Sequence, residues 1–161
     1  NIEQECSFKV TSIKPFLKYC KENDYKKIEK TEQNRILYKK SDKTMLRLTI
    51  KKKGRKVIKE MDFKQDKLTN ESFVERKESL PIMYEDDEAI NSIIDFLGYT
   101  KNIELKRKRY VYLKEDIKFE IDEYISPEFM LVVGIEGEKE KTKLIYDELK
   151  EKFGKYFCSN E

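Results

Sequence analysis

The residues that could do chemistry in this chain come as charges alternating with apolar side chains. Glu3, Glu5, Ser7 and Lys9 interleave with Ile2, Cys6, Phe8 and Val10, and Arg47 and Thr49 with Leu46, Leu48 and Ile50. Glu60, Asp62 and Lys64 oppose Val57, Met61 and Phe63, and Lys118, Glu120 and Asp122 oppose Ile117, Phe119 and Ile121. Gly134 and Glu136 oppose Leu131, Val133 and Ile135, with Val132 and Ile58 breaking the alternation. Period two is the mark of a strand with one apolar and one polar face. Carboxylates gathered on such a face offer hard oxygen ligands to a divalent cation. Lys and Arg gather phosphate oxygens, Arg bidentately. A surface lined by both would bind a metal–polyphosphate complex.

Composition narrows the chemistry further. With no His, a His-ligated metal site, a Ser-His-Asp triad and imidazole acid–base catalysis are ruled out. No Gly-rich phosphate loop is present, so a P-loop NTPase is excluded. The 161 residues suit one domain, expected over 1–155 with 156–161 as a tail. Lys and Arg number 35 against 32 Asp and Glu, a net charge of +3 in a chain that is 42% charged. A basic-patch nucleic-acid binder carries a larger imbalance, so a nucleic-acid partner is disfavoured. Nine Phe and ten Tyr argue for a folded core despite 38% hydrophobic residues. No apolar run is long enough for a membrane span, and the opening residues do not read as a signal peptide. Cys6, Cys20 and Cys158 form no CxxC pair and read as reduced thiols, so a cytoplasmic setting and no membrane partner are expected.

Three helices must position the strands. Thr11 to Asn23 has a capping Thr or Ser, Pro15 near its first turn, and Phe16, Leu17 and Tyr19. Asp86 to Leu97 opens on acids and carries Ile90, Ile93, Ile94 and Leu97, with Gly98 as its cap. Glu138 to Phe153 carries Leu144, Ile145 and Leu149. Segments 24–32, 33–40, 72–80 and 101–114 read as further strands. Lys51-Lys52-Lys53-Gly54 reads as a solvated hairpin turn, and Glu85 to Glu88 as acids at a helix start. Each helix has one apolar stripe and needs an apolar surface to cover. If that surface is the apolar face of the sheet, the charged face lies on the other side. Closing the sheet then encloses a polar lumen. The fold class expected is α+β, a closed antiparallel β-barrel with a charged lumen and about three covering helices.

In order and spacing, these segments resemble the CYTH domains, the superfamily of class IV adenylate cyclases, thiamine triphosphatases and inorganic tripolyphosphatases. Ile2-Glu3-Gln4-Glu5 is similar to the opening Glu-x-Glu strand, and Leu46-Arg47-Leu48-Thr49 falls where an Arg-x-Arg strand belongs. Asp62-Phe63-Lys64 resembles a Thr-x-Lys element, and Arg76-Lys77-Glu78 an Arg-x-Glu element before the middle helix. Leu97-Gly98-Tyr99 and Arg107-Lys108-Arg109-Tyr110-Val111-Tyr112 resemble Leu-Gly-Phe and Lys-x-Arg-x-x-Tyr. Ile121-Asp122-Glu123 and Gly134-Ile135-Glu136 resemble Leu-Asp-Glu and the closing Glu-x-Glu.

The resemblance implies a tunnel of about eight strands that binds a triphosphate-containing small molecule or inorganic polyphosphate with Mg²⁺ or Mn²⁺, as a monomer or homodimer. It implies a metal-binding acidic set of Glu3, Glu5, Asp122 and Glu136, joined by Glu78 unless that residue orients a basic neighbour. Glu3 and Glu5 would also orient the attacking water. Arg47, Lys64, Arg76, Arg107 and Arg109 would contact phosphate, as would Lys9 on the same face as Glu5. The alternation agrees for most of these. Arg107 and Arg109 instead share parity with Leu105, Val111 and Leu113, which calls for a bulge. Three residues depart from the pattern: Ser7 for a Lys, Thr49 for the second Arg, and Gly134 for the first Glu of the closing pair. A metal-dependent triphosphate hydrolase is the expected activity. The alternatives are a class IV-type cyclase, with Tyr110, Tyr112 or Tyr124 as stacking surfaces, and a non-catalytic polyphosphate-binding module.

Overall fold

A computed structural model describes residues 2–41, 44–68 and 73–159, with the side chains of residues 2, 3, 66–68 and 73–76 left undescribed. The strands are β1 (Ile2–Val10), β2 (Lys26–Lys39), β3 (Thr44–Lys53), β4 (Lys56–Leu68), β5 (Phe73–Glu78), β6 (Ile82–Met83), β7 (Thr100–Lys114), β8 (Ile117–Ser126) and β9 (Met130–Gly137). The helices are α1 (Lys14–Glu22), α2 (Asp87–Phe96) and α3 (Lys139–Phe153). Hydrogen bonding runs β3-β2-β7-β8-β9-β1-β5-β4-β6, and a further β3–β4 pairing joins β4 back to the start of that order. The eight longer strands therefore pair in an antiparallel ring, with β6 continuing the β4 edge.

The expected elements are present, with three differences. Segments 24–32 and 33–40 are one strand, β2, which pairs with β7 along its length and absorbs an irregularity between Lys27 and Glu29. No side chain caps α1; Thr11 instead donates its hydroxyl to the Tyr156 carbonyl. Residues 156–158, expected to begin a tail, are tied back to β1. Thr11 donates its amide to the Tyr156 carbonyl, Cys158 donates to the Lys9 carbonyl, and Phe157 stacks on Phe8 at 4.4 Å.

Helices cover the outer face of the sheet in two places. α1 and α3 supply Phe16, Tyr19, Cys20 and Leu149, which pack on Tyr112, Phe119, Ile121, Val133 and Ile135. α2 supplies Ile90 and Ile94 to a smaller cluster with Tyr38, Leu46, Leu48 and Met61. Each large side chain so buried contributes about 1.5–3 kcal/mol. Asp86 caps α2 by accepting from the Ala89 amide. Gly137, at φ +154°, ends β9 where an added Cβ would stand 2.6 Å from Ile117 Cδ1, so only glycine lets the chain leave the sheet so close to β8. With every apolar stripe used outside, the charged faces of the strands turn inward.

Candidate functional site

The inward faces enclose a cavity of about 490 Å³. β1 contributes Glu5 and Ser7, β3 Met45, Arg47 and Lys51, and β4 Glu60, Asp62 and Lys64. β2 and β7 contribute Arg35, Leu37, Leu105, Arg107 and Arg109, and β8 and β9 contribute Lys118, Glu120, Asp122, Tyr124, Val132, Gly134 and Glu136. Glu78 follows from β5, with Ser79 and Pro81 beyond it.

On one side, Glu5, Glu120 and Glu136 each bring a carboxylate oxygen within 4.8 Å of the others. Register explains this, because Glu136 on β9 is paired to Glu5 on β1 and to Lys118 on β8, and Glu120 is two residues along β8. Burial, the Glu120 charge and a hydrogen bond with Glu120 push the Glu136 carboxyl up to about 11, so it holds a proton in the metal-free protein. Burial alone would raise Glu120 as well, but the Arg109 charge and the hydrogen bond from Glu136 hold it well below the usual carboxylate range. Glu136 Oε2 is buried and accepts no hydrogen bond, although Lys118 Nζ stands 3.2 Å away. Three converging carboxylates with a proton trapped between two of them are a donor set that fits a hard divalent cation.

On the other side stand four guanidiniums among the described residues, and their pairing differs. Arg47 meets Asp62 through two N–H groups, Nε at 2.8 Å from Oδ1, and has Glu78 at 3.4 Å. Arg109 donates Nε and Nη2 to the two oxygens of Asp122 and Nη1 to Glu120, all at 2.8 Å. Arg107 donates to Gln33 Oε1 at 2.9 Å and to the Tyr124 hydroxyl at 3.0 Å, with Asp122 at 3.8 Å. Its Nη2 is buried with no partner. Arg35 donates Nε to the Thr49 hydroxyl at 3.0 Å and meets no carboxylate among the described residues. Burial and the charges of Arg107, Arg47 and Arg109 push the Arg35 guanidinium well below its usual range.

No protein-family model and no curated protein matches the sequence. Solved structures do match by fold. The PH1012 protein of Pyrococcus horikoshii superposes with a TM-score of 0.72 at 20% identity, over 92% of this chain and 88% of that one. A candidate adenylyl cyclase of Hippeastrum, whose structure is described as revealing a dominant triphosphatase activity, superposes at 0.67 and 13% identity over 99% and 92%. A chain of the Schizosaccharomyces pombe Mediator head module superposes at 0.69 and 9% identity over 98% and 97%. What these likenesses show is the fold, which the Hippeastrum protein and the Mediator chain share. Because a Mediator chain has it too, the fold does not carry the chemistry, and the side chains must.

Of the residues that the CYTH resemblance singled out, Glu5, Arg47, Lys64, Glu78, Arg107, Arg109, Asp122 and Glu136 all line the cavity. The side chains of Glu3 and Arg76 lie outside the described residues, although their backbones are paired across β1 and β5. Lys9 is exposed and does not line the cavity; it sits opposite Val132 at the far end of β1. Asp122 is placed differently from the implied acidic set, and Glu78 takes the alternative of a carboxylate beside a basic neighbour. Asp122 gives both oxygens to Arg109, and Glu78 lies beside Arg47, because each stands next to a buried guanidinium on a neighbouring strand. Arg107 and Arg109 face the lumen in spite of their apolar companions. No bulge in β7 is needed, because Leu105 lines the cavity on the same parity; the irregularity at Lys106/Arg107 skips Ile125 on β8, and Tyr110 and Tyr112 pack outward against the helices.

Arg35, Glu120 and Lys51 were missed as site residues. The alternation of β8 contained the signal for Glu120. Lys51 sits inside the Lys-rich turn signal yet faces the cavity between Glu29 and Glu60, at 3.5 and 3.6 Å, because β3 runs to Lys53 and the turn falls at Gly54. Arg35 has no local signal, since its strand mixes polar and apolar residues.

Proposed function

We propose that this protein is a metal-dependent hydrolase of a small triphosphate, inorganic or organic, held in the lumen. The observation that carries this is the sorting of charge inside one cavity: Glu5, Glu120 and Glu136 converge, and guanidiniums with spare donors face the same space. Glu5, Glu120 and Glu136 would hold a divalent cation, Mg²⁺ or Mn²⁺. When bound, that ion would supply neutralisation of phosphate charge.

The chain's own residues do the rest. Arg107 and Lys64 bind phosphate oxygens, Arg107 through its open Nη2. Glu5 is a base for the attacking water. Water adds to the terminal phosphorus, the bond from that phosphorus to the bridging oxygen breaks, the diphosphate remainder leaves with that oxygen and the electron pair, and orthophosphate is released as the water's proton passes to the carboxylate side. Little covalent chemistry is asked of the protein, and positioning with charge stabilisation does most of the work. Leu37, Met45, Leu105 and Val132 add an apolar stretch to the lining, a surface for an organic substituent on the triphosphate.

The test is phosphate release from tripolyphosphate, ATP and thiamine triphosphate with Mg²⁺, with Mn²⁺ and with chelator. Release that needs the metal is the expected result. Tripolyphosphate binding by calorimetry with no release from any substrate would leave a binding module, and production of a cyclic nucleotide from ATP would make it a cyclase.

A further inference from the structure

The four lumenal guanidiniums among the described residues are not equivalent. Arg47 and Arg109 each face two carboxylates and are neutralised within the protein. Arg107 keeps a buried, unpartnered Nη2. Arg35 has one neutral hydrogen bond, to Thr49 on the adjoining strand, and no ion pair with a described residue. Arg35 and Thr49 are direct register partners across β2 and β3, and Leu105 is the partner of Arg35 on β7, two residues from Arg107. An unpaired cation among other cations is costly to bury. An arginine cannot relieve that cost by losing its proton, so it is relieved only by an anion.

We infer that Arg35 is a phosphate-binding residue of this tunnel, sharing an anionic oxygen with Arg107, and that Thr49 is its positioning residue. This rests on the lumen being a triphosphate site, and it divides the guanidiniums by role. Arg35 and Arg107 meet the substrate, and Arg47 and Arg109 hold the walls in shape. The Thr49 hydroxyl takes up Nε, which leaves the two Nη groups of Arg35 for an incoming oxygen. A threonine on β3 therefore does not leave the lumen short of a cation, because β2 supplies one beside it.

The experiment is calorimetric binding of tripolyphosphate in Mg²⁺, with thermal melting of every variant. Arg35→Ala is expected to weaken binding about ten- to a hundredfold, the range of one charged hydrogen bond, with a melting temperature equal to or above the parent's. Arg35→Gln places an amide N–H where Nε stood, so it can keep the Thr49 contact while removing both Nη groups, and should lose binding equally. Thr49→Val should weaken binding less than Arg35→Ala, and Thr49→Ser should restore it. In Arg35→Ala/Thr49→Arg, a guanidinium returned from the neighbouring strand should recover part of the lost affinity. Parent-like binding by Arg35→Ala, while Arg107→Ala loses it, would overturn this inference and leave the function intact. Unfolding of both Arg35 variants would make Arg35 a structural cation and overturn it too. A parent protein that binds no tripolyphosphate, ATP or thiamine triphosphate would overturn the function, and this inference with it.

Discussion

Across the lumen, two walls handle crowded charge in different ways. Where β1, β8 and β9 bring Glu5, Glu120 and Glu136 together, the repulsion is relieved inside the cluster by a proton that Glu136 keeps. Where β2, β3 and β7 bring Arg35, Arg47, Arg107 and Arg109 together, no such relief exists, because a guanidinium stays charged. Asp62, Glu78, Asp122 and Glu120 neutralise two of the four, and the others keep open donors. A carboxylate wall can release its proton to accept a cation, while a guanidinium wall can only wait for an anion. Among the described residues, seven acids and seven bases line the cavity, so its polarity comes from their separation and not from an excess of either sign.

The largest effect should come from cutting the link between the walls. Arg109→Ala strands Glu120 and Asp122 in a buried setting and is expected to cost about 3–5 kcal/mol, read as a lower urea midpoint. A loss below about 1 kcal/mol would mean that water reaches both acids freely.

Glu5→Gln tests the acidic wall alone. Metal-dependent phosphate release is expected to fall by about a hundredfold with the fold intact. Turnover at the parent rate would remove Glu5 from the site.

A smaller effect separates the walls by pH. Glu136 is raised in the folded protein, so its stabilisation is full below the ordinary carboxylate range and is lost as pH rises towards about 11. Glu120 is lowered, so its stabilisation is lost only as pH falls below that range. Between pH 7 and 8, only Glu136 among these two changes the balance, by up to about 1 kcal/mol in metal-free protein. Glu136→Gln, which mimics the protonated form, should flatten that decline in melting temperature. Equal declines in parent and variant would show that Glu136 is ionised. Lys9→Ala should have the least effect, changing tripolyphosphate affinity by less than about twofold, as befits an exposed charge in screening solvent. A tenfold loss would extend the phosphate path out to the end of β1.

The alternation of β1, β3, β4, β8 and β9 was legible because a half-buried strand repeats every two residues, whatever surrounds it. It marked Glu5, Arg47, Asp62, Lys64, Glu120 and Glu136 as one kind of face. It could not mark Arg35, because β2 carries Thr31, Gln33 and Arg35 inward on a strand with no clean apolar face of its own. Arg107 and Arg109 defeated it for a related reason, since they share parity with Leu105 and Val111.

By itself, the amino-acid sequence determined the three helices, the strands and the inward turn of the charged faces. These follow from local periodicity and from the need of each apolar stripe to find cover. Only the tertiary structure decided which charges meet. Glu120 reaches Glu136 and Arg109, Asp122 is spent on Arg109, and Arg35 meets no carboxylate among the described residues, and each of these depends on pairings between strands. A strand's periodicity says which way a side chain faces, whereas its partner is set by register, and register is a property of the closed sheet.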